Sequence, residues 1–347
     1  MRVQINARNR GYQFETRPGE KVLYAGLRCG VELPYECATG TCGTCKARTV
    51  SGRLRDGWPQ APGRKFVKPE LGEFLMCQCE AQDDLTLEVS KFVYAAEPGA
   101  CAPAACAGVL RGARLLTHDV MQFAVELDQP REFDAGQFSV VAAPGLEGYR
   151  AYSMVNYERG ARRLEFVVKR KPDGGFSDWL FGAERDGAQL ALFGPLGKAT
   201  FYPGVERNIL CIAGGSGIAG MMSILSRAVE ERHFERRQGW LFFGVRALSD
   251  AFYLRELSDL RARCPESLAI TVALSDTEVP GSAARDWPAL AFARGLVHEV
   301  AHRAMAGKYR DVRAYVAGPP PAVDAALRVL LLEAKLTADN IRYDKFS

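Results

Sequence analysis

Cys37, Cys42 and Cys45 stand at C-x4-C-x2-C spacing within Pro34-Tyr35-Glu36-Cys37-Ala38-Thr39-Gly40-Thr41-Cys42-Gly43-Thr44-Cys45, and a C-x-C pair, Cys77 and Cys79, follows downstream. Three thiolates on one short loop, joined by a fourth from a distant element, match the plant-type ligand spacing of a [2Fe-2S] cluster. Such a loop must curl so that backbone N–H groups reach the sulfur atoms. Gly40 and Gly43 suit that path, because glycine adopts positive φ without strain. Zinc is the first competing reading, but zinc knuckles come as two C-x2-C or His pairs, and the first histidine here is His118. Disulfides are the second, but they belong to secreted chains and no signal peptide is recognisable at the N-terminus. Cys29 reads as a small buried hydrophobe. Cys101, Cys106, Cys211 and Cys264 show no metal-ligand grouping.

At 347 residues the chain should hold two or three domains, and its 48% apolar and 25% charged residues are ordinary for a globular protein. No apolar run approaches the ~20 residues that span a bilayer, so no membrane association is expected. Ten cysteines without a signal sequence fit a reducing cytoplasm. A net charge of +4 is too small to argue for nucleic acid. Residues 1–95 carry 14 Lys/Arg against 11 Asp/Glu; an ordinary solvated surface is the favoured reading of that balance, and an electron acceptor that is not strongly basic is the second. An oxygen-activating centre is disfavoured: there is no C-x-H pair, no paired E-x-x-H and no two-His-one-carboxylate candidate among His118, His233, His298 and His302. His298 and His302 are i, i+4 on one face of an expected helix and read as solvated.

Residues 2–6 and 12–16 alternate like a hairpin, residues 20–29 form a short amphipathic helix, and residues 85–89 form a closing strand. Residues 95–106 are small, contain Pro and Gly, and lack a large apolar face, which predicts a linker. Strand-like runs at 107–117, 121–127, 137–142, 163–171 and 189–194 predict an antiparallel barrel. From residue 208 strands alternate with helices: strands at 209–213, 239–245, 268–273 and 311–317, with a helix at 221–232. That pattern predicts a parallel sheet.

Several motifs carry chemistry. Arg150-Ala151-Tyr152-Ser153 offers a ring to lie on an isoalloxazine, a hydroxyl or N–H for flavin N5 and a cation for a pyrophosphate. Gly174-Gly175-Phe176-Ser177 precedes an expected helix at 178–181, and a glycine turn entering a helix presents N–H groups to phosphate. Gly214-Gly215-Ser216-Gly217-Ile218-Ala219 lies between a buried strand and a helix, the context a phosphate loop requires. Arg246 and Asp250 follow the next strand, where an adenosine ribose would be read. Gly318 and Pro319 set a rigid turn after a later one.

Taken together, these motifs resemble the ferredoxin–NADP+ reductase superfamily, in the subgroup with an N-terminal plant-type ferredoxin domain. Trp58-Pro59-Gln60-Ala61-Pro62-Gly63 and residues 150–156 look most like reductases of toluene and related aromatic monooxygenases, and aromatic-ring dioxygenase systems use similar reductases. The resemblance implies an α/β plus β fold: a β-grasp ferredoxin domain over 1–94, a linker over 95–106, an antiparallel β-barrel FAD domain over 107–205 and a Rossmann-like parallel-sheet NAD(P)H domain over 206–347. It implies metal ligands Cys37, Cys42, Cys45 and Cys77, with Cys79 as a strand residue. It implies flavin contacts from Arg150, Tyr152, Ser153, Val168, Lys169, Gly174, Gly175 and Ser177. The nicotinamide nucleotide would be held by Gly214, Gly215, Ser216, Gly217, Arg246, Asp250, Gly318 and Pro319. Tyr152, Ser153 and the C-terminal aromatic Phe346 would sit at the reacting ring. The implied activity is NADH-dependent reduction of FAD (NADPH possible), then of the cluster, then of an oxygenase hydroxylase component or a Rieske-type ferredoxin, by a cytoplasmic monomer. Two alternative readings are a reductase for a deoxysugar dehydrase, which has a similar domain order, and a non-catalytic iron–sulfur flavoprotein sensor that binds FAD without turnover. Two departures stand out: Ser216 and Gly220 replace the usual Thr and Pro of the first loop, and Ala317 replaces the Cys of the usual Cys-Gly-Pro.

Overall fold

The computed structural model describes residues 1–202, 204 and 206–345. Three sheets follow one another along the chain. The first is five-stranded, in the order Gly11–Glu15, Arg2–Ala7, Leu85–Val89, Lys46–Ser51, Glu73–Leu75. Arg2–Ala7 pairs antiparallel with its hairpin neighbour and parallel with Leu85–Val89. The alternation of Val3 and Ile5 with polar residues decides its inward face, where both are fully buried. The helix Val22–Arg28 covers that face and carries the cysteine loop behind it.

The second sheet is a six-stranded antiparallel half-barrel in the order Arg150–Ser153, Phe138–Ala142, Gln189–Leu196, Ala104–Thr117, Val120–Arg131, Ala161–Lys169. Its long strand begins at Ala104, three residues inside the segment expected to be a linker, because Ala104 to Cys106 already pair with Gly194 to Leu192. Tyr94–Ala95, at the other edge of that segment, pairs with Val31–Glu32. Small side chains fit a sheet edge as well as a linker, and composition does not separate the two.

The third sheet is six-stranded and wholly parallel, in the order Ala291–Arg294, Leu268–Leu274, Gly239–Val245, Asn208–Gly214, Val312–Gly318, Ile341–Lys345. Strand order reverses between Asn208–Gly214 and Val312–Gly318, and in open parallel sheets ligands bind outside the carboxyl ends at such a reversal. The chain end is not frayed up to Lys345: residues Ile341–Lys345 form the sixth strand, paired with Val312–Gly318.

Apolar cores run across both junctions. Phe138, Val140, Phe193 and Leu196 of the half-barrel belong to the same buried cluster as Val3, Leu23, Tyr24 and Leu75 of the first sheet. Tyr24 stacks on Phe193, with ring centroids 4.3 Å apart, and the Tyr35 hydroxyl accepts from Gly197 N at 3.0 Å. Lys198 pairs with Glu32 at 2.7 Å across the same seam. At the other junction Ala135, Val155, Val167 and Phe201 pack among residues of the parallel sheet and its first helix, Ile218–Glu230. Arg227 of that helix donates to Asp134 Oδ1 at 2.8 Å and to Phe201 O at 3.1 Å, and lies over the Tyr157 ring.

Phe193→Ala is expected to cost about 3–5 kcal/mol, the usual loss for removing a buried aromatic. Denaturant melts should then show the first sheet unfolding ahead of the half-barrel, where the parent protein gives one coincident transition.

Candidate functional site

Residues 37–45 form an irregular loop held from three sides. Ala38, Gly40 and Gly43 take positive φ, at 56°, 81° and 76°, which turns successive N–H groups inward. Cys37 Sγ accepts from the backbone N–H groups of Thr39, Thr41 and Cys42, each at 3.4 Å, and Cys42 Sγ accepts from Thr44 N at 3.5 Å. Tyr24 donates its hydroxyl to Ala38 O at 3.0 Å, and Gly63 N donates to Gly40 O at 2.7 Å.

The thiols stand as two pairs. Cys45 and Cys77 lie 3.2 Å apart, sulfur to sulfur, and Cys37 shares a side-chain hydrogen bond with Cys42. Among the described residues no three ligand-type side chains converge as a mononuclear site requires. Two thiol pairs fit a two-iron cluster, two ligands to each iron. Within the Cys37 and Cys42 pair the proton rests on Cys42: the Cys42 side chain and the backbone N–H groups of Thr39 and Cys42 push the Cys37 thiol down, against burial, while the hydrogen bond to Cys37 and burial push the Cys42 thiol up. The hydrogen bond to Cys77 and burial push the Cys45 thiol up as well. Cys79 stands outside both pairs: it lies in the strand Cys79–Ala81, and burial pushes its thiol up to about 11.

A cleft of roughly 420 Å3 opens beside this loop. Arg150, Tyr152, Ser153, Lys169, Gly174, Gly175 and Ser177 all line it, together with Ser216 from the parallel sheet. Val168 does not. Its side chain is buried in the half-barrel core, while Val167 and Lys169 face the cleft, since neighbours on a strand point to opposite faces. The helix after Gly174 begins at Gly175 rather than at 178. The Ser177 hydroxyl is committed to the turn before it, bonding Lys171 O at 3.1 Å and Gly174 O at 2.9 Å. The N–H groups of the helix start are thus the donors this turn presents to the cleft. Phe176 packs against Tyr152 with centroids 5.2 Å apart. Arg150 lies over the Trp58 ring at 5.0 Å, so one cleft wall joins the half-barrel to the cysteine domain. Cys37, Thr39, Thr41, Trp58, Pro62, Lys171, Asp173 and Lys345 line the cleft as well. Sequence reasoning missed these as a group, although the polar turn Lys171-Pro172-Asp173 before the two glycines was a usable signal.

A second cleft, roughly 490 Å3, lies at the carboxyl ends of the parallel strands. Gly214, Gly215, Ser216, Arg246, Asp250 and Pro319 line it. Gly217 and Gly318 act behind the wall instead. A Cβ on Gly217 would stand 2.3 Å from Ala317 O, so this crossing of loop and strand admits only glycine there. Asp250 Oδ2 accepts from Ala247 N at 3.2 Å and lies 3.5 Å from Arg246 Nε; its other oxygen faces His118 Nδ1 at 3.9 Å. Gly244, Ala273, Leu296 and Val297 complete the apolar floor. Ser216 and Lys169 line both clefts. Phe346 lies outside the described residues.

The chain matches three family models in order: a 2Fe-2S iron-sulfur cluster binding domain over residues 5–82, an oxidoreductase FAD-binding domain over 108–201 and an oxidoreductase NAD-binding domain over 211–328. The ferredoxin–NAD(P)+ reductase CarAd of Metapseudomonas resinovorans is 35% identical over 94% of this chain and 95% of its own length. The chain belongs to the ferredoxin–NAD(P)+ reductase family. The xylene/toluene monooxygenase electron transfer component XylA of Pseudomonas putida is 30% identical to this reductase, over 93% of the reductase and 87% of XylA. The solved ferredoxin reductase in carbazole 1,9a-dioxygenase covers all of the reductase and 99% of its own chain, with TM-score 0.82 and 32% identity. The reductase is therefore an NAD(P)H-dependent oxidoreductase that uses a [2Fe-2S] cluster, FAD and a nicotinamide nucleotide. No helix among its described residues is long and apolar enough to cross a membrane.

Cys77→Ser is expected to purify without iron–sulfur absorbance, whereas Cys79→Ser should keep it. Iron and sulfide content per chain separates the two, and a reversal of that order would reassign the fourth ligand.

Proposed function

We propose that this reductase takes electrons from NADH and delivers them singly to an oxygenase, or to an intermediate ferredoxin, in an aromatic or hydrocarbon oxidation system. The observation that carries this reading is that Cys37 lines the same cleft as Tyr152 and Ser153. A ligand thiol on the wall of a flavin cleft needs no separate carrier between the two centres. The similar solved structure is a ferredoxin reductase in carbazole 1,9a-dioxygenase, and XylA is a xylene/toluene monooxygenase electron transfer component, which supports the class of partner.

When bound, the nicotinamide supplies a hydride, the flavin divides its two electrons, and the cluster carries one at a time. The chain's own part is to place and shield. In this proposal Cys37, Cys42, Cys45 and Cys77 hold the cluster. Tyr152 and Ser153 face the reacting ring, and Arg150 and Lys171 supply positive charge for a pyrophosphate, with the N–H groups at Gly175 beside them. Gly214, Gly215 and Ser216 present backbone to the nicotinamide nucleotide, and Pro319 limits the approach angle. No general acid or base is required, and none is assigned. With the strand pairing at both edges of the expected linker taken in, the domain limits we propose move from 1–94 and 107–205 to 1–95 and 104–205, with 206–347 unchanged.

Asp250 supports NADH over NADPH, because its carboxylate repels a 2′-phosphate. Arg246 beside it softens that repulsion, so NADPH should be a slower substrate rather than an excluded one.

Anaerobic NADH is expected to bleach flavin and iron–sulfur absorbance together in a rapid-mixing experiment, and reduction confined to the flavin would overturn the proposed path. Asp250→Asn should lower the NADH over NADPH ratio of kcat/KM about tenfold, ~1.4 kcal/mol.

A further inference from the structure

Gln78 sits between Cys77 and Cys79 and is only 4% exposed. Its Nε2 stands 3.3 Å from Cys77 Sγ. The Cys37 and Cys42 sulfurs receive backbone N–H groups from their own loop. On the other pair Cys45 takes a backbone hydrogen bond from Cys77, whereas the donor to Cys77 Sγ is the Gln78 side chain. Its orientation follows from charge: an amide oxygen turned toward a thiolate would be repelled, so the N–H faces sulfur.

The surroundings are shaped for that amide. A Cβ on Gly40 would come within 2.8 Å of Gln78 Nε2, so the glycine that turns the cysteine loop also leaves room for the side chain. The Gln78 backbone is fixed on both sides, donating to Leu75 O at 2.9 Å and accepting from Gly57 N at 2.9 Å. The side chain is thus held beside one ligand sulfur at the buried end of the cluster site, away from the flavin cleft that Cys37 lines.

We propose that Gln78 is a positioning residue that raises the reduction potential of the cluster through its hydrogen bond to Cys77. The inference rests on the proposed reading in which Cys77 is a ligand. Reduction adds one electron and therefore one negative charge to the cluster. A donor aimed at a ligand sulfur stabilises the reduced form more than the oxidised one. The amide keeps its proton throughout, so the step moves an electron and nothing else. A higher potential pulls electrons from the flavin into the cluster and leaves less driving force for the next acceptor. Gln78 therefore divides the available potential between entry and exit.

The test is a dithionite titration of the full-length holoprotein with redox mediators, followed by the EPR signal of the reduced cluster. Gln78→Met keeps the length and fills the space but has no donor. Gln78→Glu keeps the shape and presents oxygen at both positions. The expected order of midpoint potential is parent, then Met, then Glu, with the Met variant shifted about threefold to tenfold toward the oxidised form, where tenfold is about 59 mV for one electron. A purely structural role would lower cluster content in both variants without ordering their potentials. A Met variant with full cluster content and the parent potential overturns the proposal. If neither variant assembles a cluster, pulsed EPR of the reduced parent protein labelled with 15N in the glutamine side chain decides. A coupled nitrogen supports the hydrogen bond, and its absence overturns it. The titration bypasses NADH and flavin, so an unmoved potential sinks this role alone. A parent protein lacking a cluster sinks the proposed function and this inference together.

Discussion

Gathering four cysteine sulfurs, two of them fully buried, at one end of a small sheet is the constraint on which the rest of the structure depends. Cys45 and Cys77 are at most 2% exposed, and a buried anionic sulfur is costly unless donors surround it. The chain meets that cost with the Gln78 amide at Cys77 and with backbone at the sulfurs of the loop, Cys37 and Cys42. Positive φ at Ala38, Gly40 and Gly43 turns the N–H groups of the loop toward its own sulfurs, a path that ordinary residues follow only with strain. A loop bent in this way has no regular hydrogen bonds of its own. It is held instead from behind by Tyr24 and from above by Gly63. The helix Val22–Arg28 therefore serves as the loop's support as well as the cover of the sheet.

That support then fixes the neighbouring domain. The Tyr24 ring stacks on Phe193 of the half-barrel while its hydroxyl holds Ala38 O, so one side chain ties the cysteine loop to the half-barrel. Domains joined by small polar contacts move freely, whereas a continuous apolar core resists it. Here the core is continuous across both junctions. The cysteine loop, the flavin cleft and the nucleotide cleft are consequently set in one arrangement, with Arg227 and Ser223 anchoring the parallel sheet to the half-barrel.

Much of this was legible in the sequence where function is local. The cysteine spacing, the Arg150 to Ser153 strand and the Gly214 to Gly217 loop each bring their chemistry within a few residues, and the structure gathers each set. What depends on pairing was less legible. Val168 and Val167 are identical in type, and only strand register turns Val167 to the cleft. The segment 95–106 has linker composition, yet its end pairs with Gly194. Residues 341–345 carry no strong strand pattern and gain their order from the edge of Val312–Gly318. Trp58 and Lys345 reach the flavin cleft from opposite ends of the chain, a proximity that no local pattern encodes.

The departures at residues 216, 220 and 317 gain their meaning from the same geometry. Ala317 is buried, and its carbonyl lies so close to Gly217 that loop and strand are locked at that crossing. A Cβ at Gly220 would find Gly136 O and Ser153 Oγ at 3.6 Å, an ordinary contact, so glycine there is not forced by space. Without a thiol at 317, alignment of the reacting rings must come from the walls that hold them. Ser216 and Lys169 belong to both clefts, and Lys169 is itself fixed by Asp119 at 3.0 Å. A shared wall of this kind would hold a flavin and a nicotinamide against the same backbone and ion pair, which do not depend on the side chain at 317.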